Sequence, residues 1–163
     1  MIKPVQLIVA CTENRVIGRA GRLPFDLPED KQWLHDQTAN QTVVLGRIGY
    51  ETWPKVLADD RQPVVITRNR ALATDRVRVA ADVPAALALA QTLPGAIMVC
   101  GGQRIYEETL PLADRLLLTL VHAQIEGDTT FPEWRHLNWR ETWSKEGNDA
   151  NYRYTFSILE RVR

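Results

Sequence analysis

Short apolar runs alternate with amphipathic segments along most of this chain. The apolar runs predict strands at residues 5–10, 42–45, 63–67, 76–80, 96–100, 115–121 and 152–160. Between several of them, apolar positions recur three and four residues apart, which predicts helices at residues 28–37, 48–53, 83–93 and 104–110. Because short buried strands that alternate with helices form parallel sheets covered on both faces, we expect an α/β fold of this kind.

The C-terminal part of the chain departs from this alternation. No helical pattern separates the last two predicted strands, residues 115–121 and 152–160. We therefore expect a hairpin there, which gives the sheet an antiparallel strand at its C-terminal edge. The segment EGDTTFPEW is expected to be the loop that enters this region. Since the sequence contains no linker or repeat, we expect one domain over residues 1–163.

Three acidic residues lie at the start of the first predicted helix. Asp26 and Glu29 have the spacing of a capping box, so we expect Asp26 to cap the helix and Glu29 to face solvent. Asp30, in contrast, shares one helical face with Trp33 and Leu34. A carboxylate on a face that the helix buries is costly unless something compensates it, and such acids often mark a site of chemistry.

Glycine follows two of the predicted strands directly before a helix. Gly46 stands at the first junction, and Gly101 and Gly102 stand at the second. Backbone N–H groups at such junctions attract anions, and glycine allows a phosphate to approach closely. Two junctions in one sheet suggest a dinucleotide that lies across the strand ends. Glycine after a strand is also ordinary turn chemistry, and neither junction has a G-x-G-x-x-G or a Walker A sequence.

Basic residues follow two of the predicted strands. Thr67 and Arg68 end the strand at 63–67, and Arg47 follows the strand before it. If both strand ends point the same way, two guanidinium groups and a hydroxyl converge, which suits a phosphate monoester such as the 2′-phosphate of NADP. Arginines at loop ends are also common on surfaces. Arg61 could equally be a surface charge or a clamp for a carboxylate.

Composition and charge narrow the possible partners. The 163 residues carry 20 Lys and Arg against 20 Asp and Glu, so no net charge attracts nucleic acid or an anionic membrane. Cys11 and Cys100 are too few for a disulfide framework and lie in apolar runs, which is typical of reduced core thiols. No stretch is long enough to span a membrane, and the N-terminal apolar run is too short for a signal peptide. We expect a cytoplasmic monomer.

Serine and metal chemistry have no support in the sequence. The histidines, His35, His122 and His136, lack metal-ligand spacing, and no C-x-x-C sequence is present, so no metal is expected. The serines, Ser144 and Ser157, do not lie in a G-x-S-x-G elbow. His35 is expected to be a solvated side chain.

Eight segments of the sequence are informative when they are considered together and in order. They are LIVACTENRVIG, LPFDLPED, VVLGRIGYETW, VVITRN, MVCGGQRIYEETLP, LLLTLV, EGDTTFP and YTFSILER. At this spacing and over nearly the whole chain, they resemble the dihydrofolate reductase family. The resemblance implies an eight-stranded, mostly parallel sheet with helices on both faces. It also implies NADPH-dependent reduction of 7,8-dihydrofolate to 5,6,7,8-tetrahydrofolate, in one-carbon metabolism.

The resemblance also assigns roles to residues of this sequence. Asp30 would bind the pterin, Thr119 would support that acid, and Leu23 would belong to the loop that admits a proton-delivering water. The substrate residues would be Ile8, Asp30, Leu34, Trp53, Leu57, Arg61 and Thr119, with Arg61 on the α-carboxylate of the glutamate tail. The NADPH residues would be Ala10, Ile17, Gly18, Arg19, Ala20, Gly21, Arg22, Leu23, Gly46, Arg47, Ile48, Gly49, Thr67, Arg68, Gly101, Gly102, Gln103, Arg104, Ile105 and Tyr106. In the family the Gly101–Gly102 peptide is cis, and Asp128 matches an acid that braces the loop over the site.

Two alternatives remain open on the sequence. One is a reductase of the same fold that acts on a pyrimidine or on another pteridine, which would not need Arg61 for a glutamate tail. The other is a nucleotide-binding module without catalysis, which would have no need to keep Asp30 and Thr119. Departures from the family pattern are Phe25 in place of tryptophan, Gly49 in place of threonine, Leu34 at a position that is often aromatic, Cys100 in place of a branched aliphatic residue, and Gln103 after the second glycine.

Overall fold

The computed structural model describes residues 2–163, which form ten strands and four α-helices. The strands are β1 (Val5–Thr12), β2 (Val16–Gly18), β3 (Thr42–Gly46), β4 (Gln62–Ile66), β5 (Arg78–Ala80), β6 (Ile97–Val99), β7 (Arg115–Val121), β8 (Thr129–Thr130), β9 (Trp139–Asn148) and β10 (Arg153–Arg161). The helices are α1 (Pro28–Thr38), α2 (Arg47–Glu51), α3 (Val83–Ala90) and α4 (Gln103–Thr109).

Eight of these strands form one sheet in the order β5-β4-β3-β6-β1-β7-β10-β9. The pairs from β5 through β7 are parallel, whereas β10 runs antiparallel to both β7 and β9. β2 and β8 form a separate antiparallel pair. The predicted fold class, an eight-stranded mostly parallel sheet with an antiparallel C-terminal strand, is therefore confirmed.

Alternation along β1 shows how the sheet is covered on both faces. Leu7 and Val9 pack in the same core cluster as Ala86 of α3 and Ile105 of α4. Ile8, between them, belongs to the cluster on the opposite face, where side chains of α1 and α2 pack. Because successive side chains of a strand point to opposite faces, α3 and α4 cover one face, and α1 and α2 cover the other.

Strand β9 was not among the strands predicted from the sequence. It lies at the edge of the sheet, and most of its side chains are exposed. Its sequence, WRETWSKEGN, has no continuous apolar run because only one of its edges pairs with a strand and little of it is buried. The segment EGDTTFPEW, predicted as a loop, contributes the two residues of β8.

The predicted capping box at the start of α1 is wrong. The N-cap position is Leu27, and no side chain accepts a capping hydrogen bond there. Asp26 instead pairs with Lys31 at 2.7 Å. Glu29 does not simply face solvent, since its carboxylate accepts a hydrogen bond from Tyr154 at 2.7 Å. Pro28 occupies the first turn, where its missing N–H is not needed.

Across residues 2–163, none of the helices combines the length and the apolar character that crossing a bilayer requires.

Candidate active site

A cleft of about 1130 Å³ opens where the parallel strands end. Its lining comes from the ends of β1, β3 and β4, from the residues after β6, and from α1, α2 and α4. In open α/β sheets, ligands bind outside the carboxyl ends of the strands, at the point where the order of connection reverses. In this sheet β6 lies between β3 and β1. The order of connection therefore reverses at these strands.

Asp30 lies in this cleft, on the first turn of α1. Its Oδ1 accepts a hydrogen bond of 2.7 Å from the hydroxyl of Thr119, which lies on β7. Burial raises the pKa of Asp30 from 3.8 to about 6, although the bond from Thr119 acts in the opposite direction. The predicted inward orientation of Asp30 is present, and the group can exchange a proton close to neutral pH.

Aromatic and aliphatic side chains form the walls beside Asp30. Ile8, Leu34 and Trp53 line the cleft, as does Trp33. Trp33 was not predicted as a site residue, although it shares the helical face of Asp30 and the same spacing could have indicated it. These walls form a slot that suits a flat heterocycle.

His35 is not the solvated side chain that the sequence suggested. It lines the cleft, and its Nε2 accepts a 3.3 Å hydrogen bond from the indole of Trp53, whose ring stacks on the imidazole at 6.1 Å. Burial, followed by the charges of Arg61 and Lys55, lowers the pKa of His35. A neutral imidazole is consistent with its role as an acceptor for Trp53.

Arg61 is fully buried rather than exposed at the mouth of the cleft. Its Nε donates to the hydroxyl of Thr38, Nη1 donates to the carbonyl of Ala58, and Nη2 donates to the carbonyl of His35. The guanidinium therefore lies directly behind the backbone of the cleft wall. Leu57 also packs behind the wall, with the core cluster on that face.

In the half of the cleft away from Asp30, backbone segments lie close together without side chains between them. The Gly101–Gly102 peptide is cis, as the resemblance implied. Gly101 has a φ of 104°, and a Cβ at this position would lie 3.0 Å from the ring of Tyr106. The hydroxyl of Tyr106 donates to the carbonyl of Ile8 at 2.6 Å, and the N–H of Gly46 donates to the carbonyl of Gly101 at 3.0 Å. Only glycine fits at position 101, and it leaves open backbone for a ligand.

A short loop covers this half of the cleft. The backbones of Arg19 and Arg22 bond to each other, and Asp128 accepts a 2.9 Å hydrogen bond from the N–H of Ala20. The N–H of Asp128 donates in turn to the carbonyl of Gly18 at 3.0 Å. Leu23, at the end of the loop, lines the cleft and is 53% exposed, which leaves it free to cover a ligand.

The basic residues are divided between the cleft and the pocket beside it. Thr67 borders both the cleft and a neighbouring pocket of about 420 Å³, which is also lined by Arg68 and Arg70. Arg47 lines the cleft itself and pairs with Glu51 at 3.0 Å. Sequence reasoning missed Arg70, although its position two residues after Arg68 could have indicated it.

Most of the predicted residues therefore surround one cleft. Those that do not line it are Arg19, Ala20, Leu57, Arg61, Arg68 and Thr119. Lining residues that were not predicted for the site are Val9, Lys31, Trp33, His35, Leu45, Thr52, Pro54, Lys55, Ile66, Cys100 and Thr129. Burial raises the pKa of the Cys100 thiol to about 12, so this thiol is protonated at neutral pH. Within residues 2–163, no group of three His, Cys, Asp or Glu side chains could hold a metal ion.

A cleft with open glycine backbone at one end and a single acid of raised pKa beside an apolar slot is the arrangement expected of a dinucleotide-dependent oxidoreductase. The family model described as dihydrofolate reductase matches residues 4–161. Dihydrofolate reductase type 3 of Salmonella typhimurium is 39% identical over 98% of this chain and 99% of its own length. Dihydrofolate reductase of Buchnera aphidicola is 34% identical over 96% of this chain and 99% of its own length.

A solved structure agrees with these sequence matches. Dihydrofolate reductase from Enterococcus faecalis, in complex with NADP(H) and RAB-propyl, superposes with a TM-score of 0.84 at 30% identity. The match covers 97% of this chain and 96% of that one. The chain belongs to the dihydrofolate reductase family. The predicted NADPH-dependent oxidoreductase is thereby confirmed, and the alternative reductase of the same fold is not favoured.

Proposed function

We propose that this chain reduces 7,8-dihydrofolate to tetrahydrofolate with NADPH, and that Asp30 is the acid that holds the pterin. The observation that carries the proposal is the carboxylate of Asp30, which lies in an apolar slot, bonds to Thr119 and has a pKa of about 6. A carboxyl of this pKa can pair with the amino group and the adjacent ring nitrogen of a pterin in either protonation state.

The residues at the other half of the cleft fit NADPH. At Gly101 a Cβ would meet the ring of Tyr106, and at Gly46 it would lie 3.3 Å from Ile105, so both positions provide backbone without a side chain. Bound NADPH supplies the hydride. The walls of the cleft would orient the nicotinamide and pterin rings face to face, at the near-contact distance that hydride transfer requires.

The positions of Asp30 and of the loop that ends at Leu23 also account for how the pterin is protonated. Asp30 fixes and polarises the ring, while Thr119 keeps the carboxyl in one orientation. The loop that ends at Leu23 admits a water to the pterin nitrogen and then excludes the bulk solvent. In this assignment Ile8, Leu34 and Trp53 hold the pterin and benzoyl groups.

Arg61 holds the tail carboxylate from behind the wall in this proposal. Its Nη2 carries two N–H groups and donates to one carbonyl, that of His35, among the described residues. One donor therefore remains for a carboxylate.

An assay of NADPH oxidation in the presence of dihydrofolate tests the proposed reaction. We expect turnover that depends on both substrates, and tetrahydrofolate as the product by chromatography. A protein that binds NADPH in a titration but shows no turnover with dihydrofolate would be a binding module, and the proposed function would be wrong.

Arg68 is expected to distinguish NADPH from NADH. Substitution Arg68→Gln should raise the KM for NADPH by about 10-fold to 100-fold, because a charged hydrogen bond to the 2′-phosphate is lost, and should leave the KM for NADH unchanged. Steady-state kinetics with both cofactors measures the effect. An equal loss with both cofactors would remove Arg68 from phosphate recognition.

We further propose that the protein works as a cytoplasmic monomer without a nucleic-acid partner. Cys11 and Cys100 are free thiols, and the equal numbers of basic and acidic residues give the chain no net charge that would attract nucleic acid. Exposed large apolar side chains, such as Ile48 and Leu112, are distributed singly along the chain. Light scattering should give a mass near 18.5 kDa.

A further inference from the structure

Glu29, the residue before Asp30, connects helix α1 to the terminal hairpin of β9 and β10. Its Oε1 accepts a 2.7 Å hydrogen bond from the hydroxyl of Tyr154 on β10. Its Oε2 pairs with Lys145 on β9 at 3.4 Å. Tyr154 is only 3% exposed, so its hydroxyl makes this bond at the boundary of the core rather than on the surface.

Among the described residues, the only other side-chain hydrogen bond from the start of α1 to a distant element is the one between Asp30 and Thr119. The N-cap residue, Leu27, receives no capping bond, and Asp26 pairs with Lys31 within the same segment. An uncapped first turn leaves its N–H groups without side-chain partners, so tertiary contacts must fix its position. The bond from Tyr154 to Glu29 is such a contact, and it adjoins Asp30 directly.

The same hairpin also holds the partner of Asp30. Strand β10 pairs with β7, with Phe156 opposite Thr119 and Tyr154 opposite Val121. Thr119 then donates to Asp30. The hairpin therefore contacts both sides of the Thr119–Asp30 bond, the helix through Glu29 and the strand through the β10 ladder.

Close packing at Gly147 supports a fixed distance between these elements. A Cβ at this position of β9 would lie 2.8 Å from Oε1 of Glu29 and would also clash with the ring of Tyr154. The approach of the hairpin to α1 thus depends on glycine. One turn further along the helix, Trp33 stacks on Trp143 of β9 at 5.2 Å and makes a second contact with the same hairpin.

We propose that Tyr154 is a positioning residue for Asp30, acting through its hydrogen bond to Glu29. The bond holds the first turn of α1 at the distance at which Thr119 and Asp30 meet, and so orients the carboxyl toward the pterin. The inference rests on the role of Asp30 proposed above. The charged groups around Tyr154 are Glu29, Asp30, Lys145 and Asp149.

The substitution Tyr154→Phe tests the proposal, with Tyr152→Phe as its matched control. Tyr152 lies near the same hairpin, and no hydrogen bond of its hydroxyl is present among the described residues. We expect Tyr154→Phe to lower the rate of hydride transfer about 3-fold to 10-fold and to displace the pH at which that rate declines, with little change in the KM for NADPH. Tyr152→Phe should retain the original rate and pH profile.

Glu29 provides the conservative variant and a coupling test. Glu29→Gln keeps an acceptor oxygen and should retain most of the rate, whereas Glu29→Ala should resemble Tyr154→Phe. The double variant Glu29→Ala with Tyr154→Phe should be no slower than either single variant, because both remove the same bond.

Two outcomes would overturn the proposal. One is a Tyr154→Phe protein with a lower melting temperature but the original rate and pH profile, which makes the bond purely structural. The other is a double variant whose rate losses multiply. The role of Asp30 is tested separately by Asp30→Asn: if that variant keeps its turnover, the proposed function of Asp30 fails, whatever Tyr154 does.

Discussion

Substitution Asp30→Asn is expected to reduce kcat/KM for dihydrofolate at pH 7 by about 10²-fold to 10⁴-fold, while the fold stays intact. Asparagine has nearly the same shape and can still accept the bond from Thr119. Unlike a carboxyl with a pKa of about 6, it cannot gain or lose a proton while the pterin is bound and reduced. Stopped-flow measurement of hydride transfer, with circular dichroism as a check of the fold, measures the effect.

Asp30→Asn should increase the stability of the folded protein, although it lowers the activity. The pKa of Asp30 rises from 3.8 to about 6 on folding because of burial. Between these two values the folded state binds more protons than the unfolded state, so stability is lost as the pH rises through this window. Asp30→Asn removes that loss and should raise the free energy of unfolding at pH 7 by up to about 3 kcal/mol. At pH 3 the gain should disappear.

The pH profile of activity provides the third readout of Asp30. If the protonated carboxyl is the form that supports transfer, the rate should fall as the pH rises through about 6, and Asp30→Asn should flatten the profile. Asp26→Asn is the matched control because Asp26 is an exposed acid four residues earlier, paired with Lys31. Unchanged turnover in Asp30→Asn would exclude Asp30 from the mechanism.

The central part of the fold could be predicted because its strands are buried on both faces. Val43, Val44 and Leu45 are apolar without interruption, since a parallel strand between two layers of helices has no solvated side. Asp30 could be found for a related reason, because a charge among apolar residues at helical spacing stands out. Strand β9 could not be predicted from the sequence, because an exposed edge strand has the composition of a loop.

Side-chain partners that are distant in sequence were beyond prediction. Glu29 fits the spacing of a capping box, but its carboxylate bonds to Tyr154, which is 125 residues away. His35 is polar and follows an apolar residue, which is typical of a solvated position, yet Trp53 stacks on it. In each case the tertiary fold supplies a partner that local spacing does not reveal.

Arg61 is the clearest case of a residue whose partners could not be predicted from the sequence. Its substitution has the second large expected effect. The substitution Arg61→Met should lower the free energy of unfolding by about 2–4 kcal/mol, because the buried acceptors that the guanidinium satisfies are left without donors. The hydroxyl of Thr38 and the carbonyls of Ala58 and His35 would lose their donors. The midpoint of urea unfolding measures the change. Arg140→Met, on the exposed surface, is the control and should change stability by less than about 0.5 kcal/mol.

Arg61→Lys separates structure from substrate binding. Lysine keeps the charge, but its single ammonium cannot reach Thr38 and the two carbonyls together, so we expect an intermediate loss of stability. If Arg61 also holds the tail carboxylate, the KM for dihydrofolate should rise about 10-fold or more, while a dihydropterin without the glutamate tail should show no such change. Equal losses with both substrates would make Arg61 a structural residue of the cleft wall, because only the tail distinguishes the two ligands.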